Sequence, residues 1–170
     1  MKTNRILIPL DGSDMAELAI AEALQMARSD ASTFLLVRAA NARILPGADA
    51  IGAQIIAVRE AEEYLAALKA KLEKDGVRGI ETHVWYGPAA SAIVEAAGAH
   101  KADLIVMTTH GRSGVGRIVF GSVAESVLRG TTVPILLLRP SGAPLEPPAG
   151  KAEVRPVKDG KPTPRGEVLR

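Results

Sequence analysis

Apolar residues along this chain follow two alternating rhythms. Near-continuous hydrophobic runs stand at 5–10, 33–40, 102–108 and 132–138. That is the pattern of strands covered on both faces. A further run, 80–86, alternates between apolar and polar side chains and reads as a strand as well. Pro9 lies near the end of the first run, where a missing N–H is tolerable. Between the runs, apolar positions recur three and four residues apart. Ala16, Ala19, Ile20, Ala23, Leu24 and Ala27 share one helical face, entered through Asp11-Gly12-Ser13, with Ser13 a good N-cap. Residues 41–50, with Pro46 and Gly47, read as a loop. A long helical pattern covers 51–74, with Glu60, Glu62, Glu63, Lys69 and Lys71 on its polar side, and Asp75-Gly76 ends it. Gly87-Pro88 opens a third helix, with Pro88 in its first turn, through Ile93 and Ala97 to about His100. A glycine-rich stretch, 110–121, leads into a fourth helix over 122–129.

Five strands joined by helical crossovers predict a parallel α/β sandwich. Crossovers are right-handed, so helices cover both faces when the strand order reverses once. Ligands of such sheets bind beyond the carboxyl ends of the strands, at the reversal. The segments to inspect are therefore Leu10–Ser13, Ala39–Asn41, Tyr86–Gly87 and Thr108–Ser122.

Composition narrows the function classes. With 170 residues, 47% of them hydrophobic, the chain is long enough for one domain with a real core. It has no cysteine, which excludes disulfides, zinc–thiolate sites and thiol nucleophiles. Aromatic residues make up only 3%, too few for base-stacking platforms. Residues 140–170 carry six of the 21 basic and four of the 19 acidic residues, so 1–139 hold fifteen of each. The net charge of +2 therefore resides in that tail, and no nucleic-acid partner is expected. The tail also holds seven of the eleven prolines and no periodic apolar run. The predicted organisation is a domain over 1–140 and a flexible, Pro/Gly-rich tail over 141–170. The first apolar run is too short for a signal peptide, and no run approaches the roughly 18–20 residues that span a bilayer. The expected location is the cytoplasm, away from membranes.

The stretch from His110 to Ser122 holds the most chemistry. Gly111, Gly114, Gly116 and Gly121 let the backbone turn and approach a ligand closely. The helix that follows presents N–H groups and a positive dipole end at Gly121, Ser122 and Val123, suited to phosphate. Arg112 and Arg117 add possible charge-assisted bonds. The plainer alternative is a long loop in which Ser122 merely caps a helix. No Gly-Lys-Ser/Thr is present, so this is not a Walker loop, and a dinucleotide fingerprint would follow the first strand instead. Asp11, at the end of the first strand, is either an acceptor for a base or sugar or simply part of an Asp-Gly turn. His83, His100 and His110 show no spacing that implies a triad, and no catalytic residue is assigned.

Taken together, the segments 5–13, Tyr86-Gly87-Pro88, 102–114, 121–129 and 132–138 resemble the universal stress protein family, across residues 4–139. The resemblance implies a five-stranded parallel sheet in the order 3-2-1-4-5 with helices on both faces. It also implies ATP binding, with or without Mg2+, in those members that carry Gly-x-x-Gly, nine residues, then Gly-Ser/Thr. Here Gly111, residues 112–120 and Gly121-Ser122 match, while Thr108 replaces the first glycine. By the same resemblance Pro9, Asp11 and Ala39 would surround the adenine. Met107 and Thr108 would face the ribose, and Gly111, Arg112, Ser113, Gly121, Ser122 and Val123 the phosphates. Thr108 would either crowd the sugar or bond to it, and Ala39 is smaller than the usual aliphatic residue.

An apolar last strand at a sheet edge would leave an unpaired ladder, which a second copy can satisfy with twofold symmetry. The family likewise implies a homodimer through Val133–Leu138. The reading is a cytoplasmic, ATP-binding regulatory or sensor dimer of the stress response. The alternatives are a stress-response dimer or adaptor that binds no nucleotide, and a weak ATP hydrolase.

Overall fold

The computed structural model describes residues 4–27, 31–42, 47, 49–109, 121–139, 157–158 and 161–162. The chain runs β1 (Arg5–Pro9), α1 (Asp14–Met26), β2 (Thr33–Ala40), α2 (Ala50–Lys74), β3 (Ile80–Tyr86), α3 (Ala89–Ala99), β4 (Leu104–Thr108), α4 (Ser122–Gly130) and β5 (Ile135–Leu138). The five strands form one parallel sheet in the order β3-β2-β1-β4-β5, as the resemblance implies.

The continuous apolar runs have a simple cause. β1 lies in the middle of the sheet, and Ile6, Leu7 and Ile8 are wholly buried. Successive side chains point to opposite faces. Ile6 and Ile8 pack with Ala16, Ala19 and Ile20 of α1 and with Leu65 and Leu68 of α2. Leu7 packs with Ile93, Ala96 and Ala97 of α3 and with Ala124 and Val127 of α4. Both faces thus need apolar residues, and each full burial of a large aliphatic side chain contributes about 1.5–3 kcal/mol. The small alanines let α1 and α3 approach the sheet closely.

Several boundaries differ from expectation for identifiable reasons. β4 starts at Leu104 rather than 102, because Asp103 clamps the start of β1. Its Oδ2 accepts the N–H groups of Asn4 and Arg5, both at 2.9 Å, and its own N–H donates to the Arg5 carbonyl at 2.8 Å. β5 starts at Ile135 rather than 132 or 133. Pro134 has no N–H to give, although its carbonyl accepts from Ile105 at 2.9 Å. The run 135–138, read as a buried strand, is half-buried, because β5 is the last strand of the sheet. Pro88 is the N-cap of α3, one position before its first turn. α2 begins at Ala50, capped by Asp49, whose Oδ1 accepts from Ile51 and Gly52.

The expected flexible tail falls largely outside the described residues. Within it, β6 (Val157–Lys158) and β7 (Lys161–Pro162) pair antiparallel, which the sequence reading did not foresee. The residues between them are Asp159-Gly160, a favoured pair for a two-residue hairpin loop. Among the described residues, no helix is long and apolar enough to cross a membrane.

Gly79 marks the entry to β3. Its φ is +72°, and a Cβ there would strike the Ser32 carbonyl oxygen. Its own carbonyl accepts from Phe34 at 2.8 Å, joining β3 to β2. Gly76 also has a left-handed φ, +89°, but open space around it. Gly76→Ala should therefore cost only the strain of a left-handed residue, about 1–2 kcal/mol. Gly79→Ala should cost more, because the clash adds to that strain. Equilibrium urea unfolding of the two variants measures the difference.

Candidate functional site: a cleft at the reversal of strand order

β1 pairs with β2 on one edge and β4 on the other, so the strand order reverses at β1. After β1 the chain passes to α1 on one face of the sheet, and after β4 it reaches α4 on the other. The diverging exits leave a cleft, and a cavity of about 330 Å³ opens there.

The β1 side of the cleft is a tight turn. The Leu10 N–H donates to the Val37 carbonyl at 2.8 Å, which carries the chain one residue past the end of the strand. Gly12, at φ +84°, then turns it. Asp11 Oδ1 accepts from the Ser13 N–H at 3.0 Å and from Ser13 Oγ at 2.6 Å. Ser13 Oγ accepts in turn from the Ala16 N–H at 3.2 Å, so Ser13 is the N-cap of α1 as expected. Asp11 therefore has the turn role, and it also lines the cavity.

The β4 side is held by Thr109. Its N–H donates to the Leu138 carbonyl at 2.9 Å, and its carbonyl accepts from the Gly121 N–H at 2.7 Å. This holds Thr109 and Gly121 together, at the two ends of the stretch 110–120. Gly121 is the N-cap of α4 and provides no side-chain cap, so Ser122 is the first helical residue and not the cap. The amino end of α4, with Ser122 and Val123, forms part of the cavity wall.

The cavity brings together Pro9, Asp11, Ala39, Met107, Thr108, Gly121, Ser122 and Val123 of the residues singled out in the sequence. Thr108 and Thr109 are buried. Gly111, Arg112 and Ser113, with His110, Gly114, Gly116 and Arg117, lie outside the described residues.

The wall also includes residues that the sequence reading passed over. Ala89 and Ile93 come from α3, and Val37 and Arg38 from β2. Arg38 had a visible signal, since it is the one charge within the apolar run 33–40. Its guanidinium sits over the Tyr64 ring, 4.6 Å from the centroid. The Tyr64 hydroxyl donates to Glu17 Oε1 at 2.8 Å. Burial, and next the Glu17 bond, push the Tyr64 phenol well above its usual range, so it remains a donor. Tyr64 of α2 thereby ties α1 to the strand that carries Arg38.

A profile described as the universal stress protein family matches residues 2–139. The chain belongs to that family. Among curated relatives, a universal stress protein of Methanocaldococcus jannaschii is 35% identical over 139 residues, covering 79% of this chain and 81% of the relative. Solved universal stress proteins share the fold. Lactobacillus plantarum UspA matches with a TM-score of 0.69 at 23% identity, over 82% of this chain and 99% of the other. A universal stress protein solved in complex with cAMP matches at 0.55 and 23% identity, over 81% and 98%. A family member from Arabidopsis thaliana with AMP bound matches at 0.56 and 12% identity, over 82% and 93%.

The Asp11–Ser13–Ala16 bonds make one local prediction. Ser13→Ala removes the N-cap of α1 and should cost about 1 kcal/mol. The urea midpoint should fall without a change in the slope of the unfolding free energy.

Proposed function

We propose that this universal stress protein binds ATP in the cleft between the ends of β1 and β4, as a regulatory or sensor dimer of the stress response in the cytoplasm. The observation that carries the reading is the amino end of α4, without a side-chain cap, opening onto a cavity at the reversal of strand order. Backbone N–H groups and the helix dipole favour an anion there. The cavity volume of about 330 Å³ falls within the range of small-molecule sites. The cAMP and AMP complexes of two relatives support an adenine nucleotide as the ligand class.

In this reading Pro9, Asp11 and Ala39 border the base, Met107 and Thr108 the sugar, and Gly121, Ser122 and Val123 the phosphates. Gly111, Arg112 and Ser113 complete the phosphate cradle, and Mg2+ accompanies the phosphates. The matched residues 2–139 form the functional domain, and residues 141–170 are an appendage to it. Turnover forms no part of the proposal. The half-buried ladder of β5 supports pairing with β5 of a second copy, which would cover its apolar side chains.

One observation favours the rival reading of a dimer or adaptor without nucleotide. Thr108 stands where the binding pattern has glycine, and it is buried in the cavity wall. Its Cβ and hydroxyl occupy space that the pattern leaves open.

Ligand released from freshly purified protein, identified by mass spectrometry, should be an adenine nucleotide. Added ATP with Mg2+ should raise the melting temperature by mass action. Val123→Glu is the discriminating variant. A carboxylate in the first turn of α4 suits the helix dipole and leaves the fold intact. It should weaken ATP binding by about tenfold through repulsion of the phosphates. No thermal shift at millimolar ATP, or a shift unaffected by Val123→Glu, would overturn the site. Sedimentation of a monomer at assay concentration would overturn the dimer.

A further inference from the structure

We infer that Glu81, His83 and His100 form a binding site for one divalent transition-metal ion of the zinc class. The site is separate from the cleft, and none of the three residues lines the cavity. Glu81 and His83 alternate on β3, so their side chains share one face of the sheet. His100 caps the carboxyl end of α3, which packs on that face. One donor atom from each of the three lies within 4.8 Å of the others. Zinc holds imidazole nitrogens and carboxylate oxygens at about 2.0–2.2 Å, so modest side-chain rotations would close the set around an ion.

Two features suit this arrangement to a metal. Nε2 of His83 is buried and has no hydrogen-bond partner, and Oε2 of Glu81, the oxygen that Arg5 also bonds, lies 3.5 Å away. An orphaned ring nitrogen next to a carboxylate is an open ligand position. The His83 and His100 rings stack with centroids 3.8 Å apart and planes at 31°, which holds the two imidazoles side by side near Glu81.

Arg5 opposes a cation, but its position is compatible with one. Its Nη2 bonds Glu81 Oε2 at 3.2 Å and its Nε donates to the His100 carbonyl at 2.8 Å. This orients the carboxylate as an outer partner does, and the ion would take an oxygen of that same carboxylate. Two imidazoles and one carboxylate select a borderline transition metal over Mg2+ or Ca2+, and a water completes four-coordination. The Trp85 ring meets His100 edge-on, with centroids 6.3 Å apart, and closes one side of the group.

The full-length chain, stripped with a chelator, should bind one equivalent of Zn2+ in calorimetry and should not respond to Mg2+. Co2+ added as a spectroscopic probe should give the visible absorption of a four-coordinate site. His83→Gln and His100→Gln should each weaken binding by at least about 10–100-fold. Glu81→Gln should do the same, and because Glu81 is partly exposed it keeps the test open if a histidine variant misfolds. His110→Gln should leave binding unchanged. Absence of Zn2+ binding by the folded chain, or binding that survives loss of either stacked histidine, would overturn the site.

Discussion

Everything in this fold depends on β1 being hydrogen-bonded along both edges and covered on both faces. Its three central residues have no contact with water. Such a strand has no edge to offer and no polar face to spare. It fixes α1 and α2 on one side and α3 and α4 on the other. It also fixes where the two halves of the chain part. The crevice at its end follows from topology, since neighbouring strands exit toward opposite layers.

The walls of that crevice are mostly backbone, apolar side chains and hydroxyls. The Ser13 hydroxyl caps α1 and holds Asp11, while the backbone of Thr109 bonds Leu138 and Gly121. Two charged residues stand at the wall, Asp11 and Arg38; Arg38 comes from the middle of an apolar strand and rests on Tyr64. The hydroxyl of Tyr64 is committed to Glu17 in turn. A pocket of this kind owes its shape to helix and strand ends more than to flexible side chains.

Much of this was legible in the chain. The runs at 33–40 and 80–86 match β2 and β3 residue for residue, because a strand buried or half-buried along its whole length leaves its period in the sequence. Ser13 was legible as a cap for the same local reason. What was not legible depended on partners distant in sequence. β4 begins late because Asp103 is taken by Asn4 and Arg5, 99 and 98 residues away. β5 begins late because Pro134 can join the ladder only through its carbonyl. Arg38 joined the cleft wall unforeseen because its supports, Tyr64 and Glu17, lie on two other elements. The grouping of His83 and His100 with Glu81 was likewise not legible. Two share a strand, but the third arrives from the far end of a helix, and no spacing rule joins them.

Trp85 has a practical consequence. It is the chain's sole tryptophan, and it sits against the His100 ring rather than in the cleft at the end of β1. Its indole emission is therefore a local gauge of the imidazole pair. The protein carries a built-in optical label at one address, while ligands entering the cleft must be followed by other means.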